Sequence, residues 1–348
     1  AIVHTTPHQY IEHTYLTTVS YLPNTIYLYL ICISMFIKKD LRKIPIIFAD
    51  AKDAAEKDSS DTLKELRLAR RPAEFREGNI APLCQQHYKT SLLSLTSLSL
   101  YDCQISTLEG IEFLAQSCPV LEEMNLGKNP LTSLPNEMGE LKSLKALWLD
   151  DCEIGGALPS CLYDLDQLQV LRMSNNQITT VSGDKLGMWK AMEVLCLDGN
   201  MIENVPEELE CLTKLKVLML RKNKIKSLPY GVPGSTHKEL TLFHISSNEL
   251  EALPSSIAQC PSLRTIYANA NKIVDIPLGL AKMMSLEHCN LTNNAISELG
   301  HVFLERFGPP DANDGKCTKD DKVNIQLEQN PVTKKDKAAQ DALEIDIC

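Results

Sequence analysis

One stretch of the sequence constrains the fold more than any other, because its residue pattern repeats at a fixed interval. Apolar, asparagine and proline positions between Met192 and Leu212 recur from Leu215 onward, and the step from Met192 to Leu215 is 23 residues. Repeats of this length are supersecondary units that bury their apolar faces against their neighbours in a row. The chain is therefore expected to form an elongated array of stacked units.

The same pattern predicts nine full repeats and one half repeat. The full repeats follow one another at steps of 23 to 26 residues and begin at Leu95, Leu121, Leu144, Leu168, Met192, Leu215, Leu240, Leu263 and Leu286. Val323–Val332 has the spelling of the half repeat, so the repeat domain is predicted to cover residues 95–332. Because end repeats expose apolar faces, residues 51–94 are predicted to form a linker and a helical N-terminal cap, and residues 333–348 a C-terminal cap or tail. A short helix is expected through Leu63, Leu66 and Leu68.

Each repeat contains an L-x-L core, in which successive side chains alternate between the two faces of a strand. The leucines are expected to point inward, and strands stacked side by side would build a parallel sheet on the concave face of a solenoid. The asparagine that follows each strand is expected to join a buried hydrogen-bonded ladder, with Cys103 and Cys152 as weaker substitutes. Pairs such as Val205–Pro206 are expected on the convex side, where proline costs no sheet hydrogen bond.

The repeat spelling L-x-x-L-x-L-x-x-N-x-(I/L)-x-x-L-P-x-x-(I/L)-x-x-L resembles the leucine-rich repeats of intracellular Ras-group proteins. These include the plant intracellular Ras-group-related proteins and the Shoc- and Erbin-like scaffolds. The resemblance implies an α/β leucine-rich repeat horseshoe that binds a protein partner, often a small GTPase or a kinase, on its concave face. Two repeats depart from the pattern: Ile154–Leu162 carries the glycines of the plant receptor-type repeat, and residues 231–239 form an insert.

The central outward position of each strand predicts the binding surface. Across the repeats it is occupied by Ser99, Asn125, Trp148, Arg172, Cys196, Met219, His244, Tyr267 and Asn290. Large side chains that point away from the core are not needed for folding, and Trp, Tyr and Arg are enriched in binding hot spots. The predicted partner-binding residues are therefore Trp148, Arg172, Met219, His244 and Tyr267; ordinary packing between neighbouring strands is the alternative. Flanking acidic residues such as Asp150 and Asp198 would suit a basic partner.

Charge and motifs narrow the function further. The formal net charge of −10 argues against a broad nucleic-acid-binding surface. Twelve cysteines include no C-x-x-C pair, which predicts buried, reduced thiols and a cytoplasmic location. No phosphate-binding loop, kinase signature, calcium loop or His/Cys cluster occurs, so neither catalysis nor a metal or other cofactor is predicted.

The N-terminal segment leaves an alternative open. Leu16–Ile37 carries no charged residue and is followed by a basic cluster, so residues 1–50 are either an apolar leader or a membrane anchor that would leave the repeats facing the cytoplasm. The expected function is a non-catalytic, monomeric scaffold for protein–protein interaction in intracellular signalling. The alternatives are the recognition region of a longer, kinase-like enzyme and a membrane-tethered sensor.

Overall fold

The computed structural model describes residues 63–307 and 323–331, and its main feature is a parallel sheet of 11 strands. Residues 1–62, which contain the predicted leader or anchor and most of the predicted linker, lie outside the described residues, as do residues 332–348. The strands of the sheet, three residues each, are β1 (Glu65–Arg67), β2 (Ser97–Ser99), β3 (Glu123–Asn125), β4 (Ala146–Trp148), β6 (Val170–Arg172), β8 (Val194–Cys196), β9 (Val217–Met219), β10 (Leu242–His244), β11 (Thr265–Tyr267), β12 (His288–Asn290) and β13 (Asn324–Gln326).

Every strand pairs with its neighbours in the same register, so equivalent residues of successive repeats lie side by side. Leu195 of β8, for example, is paired with Leu171 of β6 and Leu218 of β9. All three leucines have no exposed surface, because the middle residue of each strand points into the core. The predicted L-x-L sheet is confirmed, and β13 confirms the predicted half repeat.

The asparagine ladder is also confirmed. The Nδ2 group of Asn200 donates hydrogen bonds to the carbonyl oxygens of Met173, one repeat back, at 2.9 Å and of Leu197, in its own repeat, at 3.0 Å. Its Oδ1 accepts a hydrogen bond from the N–H of Ile178 at 3.0 Å. The same arrangement recurs at Asn223, Asn248, Asn271, Asn294 and Asn330. The two predicted substitutes behave as expected, since the thiol of Cys103 donates to the carbonyl of Leu68 at 3.0 Å and that of Cys152 to the carbonyl of Leu126 at 3.5 Å.

The convex side is built from short helical turns, many of them preceded by proline as predicted. Proline fits there because its fixed φ suits the extended residue before a helical turn. The described 3₁₀ helices are Pro72–Glu74, Ala81–Leu83, Gln86–Tyr88, Asn136–Glu140, Ser160–Asp164, Leu186–Met188, Glu207–Cys211, Ser255–Gln259 and Leu278–Lys282, and the α-helices are α1 (Lys89–Leu92), α2 (Ile111–Ser117) and α3 (His301–Phe307).

The glycine-containing third repeat adds a second, two-stranded sheet. Its strands are β5 (Gly155–Ala157) and β7 (Gln177–Thr180), and they pair in parallel. Gly156 has a φ of 77°, a left-handed conformation that favours glycine. The departure of this repeat from the common spelling therefore has a structural consequence.

One sequence prediction is wrong. The segment through Leu63, Leu66 and Leu68 is not a helix, because Glu65–Arg67 forms strand β1 and pairs in parallel with β2. Leu66 and Leu68 are buried at the inward positions of a repeat. The L-x-x-L-x-L spacing of Leu63, Leu66 and Leu68 is that of a repeat strand. Two departures obscure it: the step from Leu63 to Leu95 is 32 residues, and Arg71 stands at the asparagine position.

Candidate functional site

The five residues predicted to bind a partner lie in one row on the open face of the sheet. Strand register aligns Trp148 with Arg172, Arg172 with Cys196, and Cys196 with Met219. It then aligns Met219 with His244 and His244 with Tyr267. We call these six residues the central row. Their alignment confirms the predicted register, whereas their role in binding stays a prediction.

At one end of the central row, an ion pair and an indole lie next to each other. Arg172 Nε lies 2.9 Å from Asp150 Oδ2, and both side chains are mostly shielded from solvent. The Trp148 indole N–H is buried and donates to no acceptor within the described part of the chain. An unmet buried donor costs roughly 1–3 kcal/mol, so this end of the row would gain from an added acceptor.

At the middle of the row, two sulfur atoms are in contact. The Cys196 thiol lies 3.5 Å from the Met219 sulfur. Burial raises the pKa of the Cys196 thiol to about 12, so the thiol is protonated at neutral pH. Methionine is a flexible, polarizable side chain, and it adapts its shape to whatever packs against it.

At the other end of the row, two rings pack together. The ring centroids of His244 and Tyr267 are 5.1 Å apart, with the planes tilted by 56°. Burial, together with the positive charge of nearby Arg221, lowers the pKa of His244 to about 3. The imidazole is therefore neutral at physiological pH and offers a lone pair, while its ring contributes aromatic surface.

The carboxylates beside the row are held by the protein itself. Asp198 Oδ1 accepts a hydrogen bond from the backbone N–H of Arg221 at 2.6 Å, and Asp150 Oδ1 accepts one from that of Ser174 at 2.8 Å. Burial raises the pKa of the Asp198 carboxyl to about 6 despite that hydrogen bond and the nearby arginines. These carboxylates organise the turn, and each arginine beside them reduces the negative potential offered to a basic partner.

Sequence reasoning missed a second set of residues on this face. The first position of each strand also points outward, and in the middle of the sheet it is apolar. Val194, Val217 and Leu242 occupy it and are buried against their neighbours. The sequence does indicate them, because a residue two positions before a member of the central row lies on the same face of its strand. Together, the two sets give the middle of the face an apolar character.

Residues 63–307 and 323–331 contain no group of three or more His, Cys, Asp or Glu side chains that could hold a metal ion. Nor do they include a helix with the length and apolar character needed to cross a bilayer, and Leu16–Ile37 lies outside them. The nine described cysteines are all unpaired, and seven of them are buried, as predicted.

Comparisons with known proteins agree with this architecture. Residues 84–230 match a family described as a leucine-rich repeat region, and residues 213–273 match the leucine rich repeat family. The chain folds as a leucine-rich repeat solenoid. The matches name leucine-rich repeats as a class, and the finer Ras-group assignment stays a prediction.

Relatives and solved structures place the same solenoid in diverse proteins. The chain is 25% identical over 240 residues to the flightless-1 homolog of Caenorhabditis elegans, which covers 61% of this chain and 19% of that protein. A leucine-rich repeat protein of Leptospira interrogans has a TM-score of 0.57 at 20% identity, covering 82% of this chain and 88% of its own. The ectodomain of the Arabidopsis thaliana receptor kinase GASSHO1/SCHENGEN3, solved with Casparian strip integrity factor 2, has a TM-score of 0.58 at 23% identity, covering 73% of this chain and 32% of its own.

Proposed function

We propose that this leucine-rich repeat solenoid is a non-catalytic scaffold that binds a protein partner through the central row, in cytoplasmic signalling. The observation that carries the proposal is the alignment of Trp148, Arg172, Met219, His244 and Tyr267 on neighbouring strands. Leucine-rich repeat solenoids as a class bind proteins, and the proposal adds the binding surface and the signalling role.

The composition of the face indicates what a partner segment must offer. The middle of the face is apolar, because Val194, Val217 and Leu242 lie there, and it suits aliphatic or aromatic side chains. The buried indole N–H of Trp148 suits a carbonyl or carboxylate oxygen, which would satisfy a donor that otherwise has no acceptor in the described residues. A segment with an apolar centre and an acceptor toward β4 therefore fits this surface. A surface of a small GTPase or a kinase is the partner that the Ras-group resemblance suggests.

The cysteine chemistry supports a reducing compartment. Burial raises the pKa of Cys289 and of Cys260 to about 12, and neither residue has a disulfide partner among the described residues. Buried thiols of this kind persist where glutathione keeps cysteines reduced. This supports the cytoplasmic part of the proposal.

A second candidate is that this solenoid is the recognition region of a longer enzyme or of a membrane-tethered sensor. The observation favouring it is the structural likeness to the ectodomain of a membrane receptor kinase, a match that covers 73% of this chain. Alkaline carbonate extraction of membranes from source cells distinguishes the tethered form. Full release into the soluble fraction would contradict a tether through Leu16–Ile37.

The decisive experiment is a quantitative pull-down from source-cell lysate with the full chain. The wild type is compared with a variant carrying Trp148→Ala, Arg172→Ala and Tyr267→Ala. A control variant carries Met188→Ala and Tyr230→Ala, which remove exposed side chains away from the central row (52% and 72% exposed). Circular dichroism confirms that all three proteins are folded.

The expected result is one protein captured by the wild type and the control but lost from the central-row variant. Its identification by mass spectrometry and reconstitution with purified protein would establish the partner. Equal capture by all three proteins would contradict binding through the central row. Loss of capture in the control as well would move the interface away from the sheet face.

A further inference from the structure

The repeat period brings together three side chains that no linear motif connects. Cys196, Met219 and His244 are 23 and 25 residues apart in sequence, yet strand register places them in consecutive positions of the central row. Met219 lies between the other two, and its sulfur is 3.5 Å from the Cys196 sulfur. A thiol, a thioether and an imidazole therefore line one short stretch of the open face.

We infer that Cys196, Met219 and His244 form a site for one copper(I) ion. Soft thiolate and thioether ligands select Cu(I), and imidazole also suits copper. Two sulfurs that each lie about 2.3 Å from one metal ion, as in zinc–thiolate sites, are roughly 3.5–4 Å apart. The observed sulfur–sulfur distance already falls at the lower end of this range. His244, one strand spacing beyond Met219, would supply the nitrogen ligand.

The charges around the site favour a monovalent ion. Asp150 and Asp198 lie near the Cys196 sulfur on one side together with Arg172, and Arg221 lies near His244. Two carboxylates and two guanidinium groups balance each other. When the thiol loses a proton to solvent and its sulfur binds Cu⁺, the net charge of the site does not change. A divalent ion would add an uncompensated positive charge in a shielded place, which is costly.

Metal binding requires the thiolate form of cysteine and the neutral form of imidazole, so each Cu(I) ion bound displaces one thiol proton. Zinc is disfavoured because its ligands are thiolate, imidazole and carboxylate rather than thioether.

The test is an anaerobic titration of the full chain with Cu(I), under reducing conditions, in competition with a chromogenic Cu(I) chelator. Three variants each remove one ligand: Cys196→Ser, Met219→Leu and His244→Gln. Two matched controls, Cys211→Ser and Met284→Leu, change an exposed thiol and an exposed thioether (81% exposed) away from the row. Copper X-ray absorption on the loaded wild type and on His244→Gln reports the ligand atoms.

The wild type and both controls are expected to hold one equivalent of Cu(I) that each ligand variant binds about tenfold or more weakly. The X-ray spectrum is expected to show sulfur and nitrogen neighbours, with the nitrogen lost in His244→Gln. If Met219→Leu and His244→Gln bind copper like the wild type, the ion sits on cysteines alone and the site is overturned. Absence of a tight equivalent in the wild type overturns it as well. Neither outcome alters the expected result of the pull-down, which is run without copper.

Discussion

Replacement of Asn223 by alanine tests how the asparagine ladder holds the repeats together. Asn223 Nδ2 donates to the carbonyls of Leu197 at 2.9 Å and Leu220 at 3.1 Å, and Oδ1 accepts from the N–H of Ile202 at 3.0 Å. The side chain is 8% exposed, so water cannot replace it freely. Each lost hydrogen bond is worth roughly 0.5–1.5 kcal/mol net, and a stranded buried donor costs about 1–3 kcal/mol.

The structure shows which groups would be stranded. The Leu197 carbonyl keeps a hydrogen bond from Asn200 Nδ2 at 3.0 Å, and the Leu220 carbonyl keeps one from Asn248 Nδ2 at 2.9 Å. Only the Ile202 N–H is left without its acceptor. The expected loss in the free energy of unfolding for Asn223→Ala is therefore about 3 kcal/mol, centred on one unmet donor and two weakened carbonyl contacts.

The assay is equilibrium urea unfolding followed by far-ultraviolet circular dichroism and by fluorescence of the two tryptophans, of which Trp189 is fully buried. Asn223→Cys is the informative partner variant, because a thiol can donate to Leu197 as Cys103 donates to Leu68, but it is a poor acceptor for Ile202. It should recover about 1 kcal/mol of the loss. Gln167→Ala, at an exposed turn, is the control and should stay within about 0.5 kcal/mol of wild type. A loss below about 1 kcal/mol for Asn223→Ala would refute the ladder argument.

Three further predictions use the same unfolding assay. Trp189 is fully buried and its Nε1 donates to the Leu162 carbonyl at 2.8 Å, so Trp189→Phe should cost about 1–3 kcal/mol through the lost hydrogen bond and the cavity beside the smaller ring; no loss would contradict this. Ala270 has a φ of 55°, so Ala270→Gly should stabilise the protein by about 0.5–1 kcal/mol, and a lower urea midpoint would contradict the strain. Burial lowers the pKa of His237 in the folded protein. As the pH falls, the unfolded chain therefore takes up a proton on this histidine before the folded protein does. The stability due to neutral His237 is present above about pH 6.5 and is lost as the pH falls below it. The advantage of wild type over His237→Gln should therefore shrink between about pH 6.5 and 5, and a pH-independent difference would contradict it.

Much of the fold could be predicted because, in a repeat protein, each residue packs against the residue at the same position of the next repeat. Once Leu195 and Leu218 are recognised as the same position in adjacent repeats, their pairing follows without further information. The ladder through Asn200 and Asn223 follows for the same reason, because the side-chain amide of each asparagine reaches a backbone carbonyl of the preceding repeat. The order of residues along the central row was predictable in the same way.

The prediction failed where the repeat was irregular. Arg71 replaces the asparagine and the step to Leu95 is long, so the local spacing predicts a helix where Glu65–Arg67 forms a strand. Apolar residues two to three apart fit both a strand and a helix, and only pairing with β2 decides between them. Next to this strand, Arg71 pairs with Glu74 at 3.1 Å and Arg67 with Glu65 at 3.1 Å.

The sequence by itself determined the solenoid, the register of its sheet and the identity of the side chains on the open face, because each of these depends only on position within a repeat. The tertiary structure decided how those side chains behave together. It placed the Cys196 and Met219 sulfurs in contact, left the Trp148 indole without an acceptor among the described residues, and held Arg172 against Asp150. Distances, burial and charge depend on rotamers and neighbours in three dimensions, and a linear period carries no record of them.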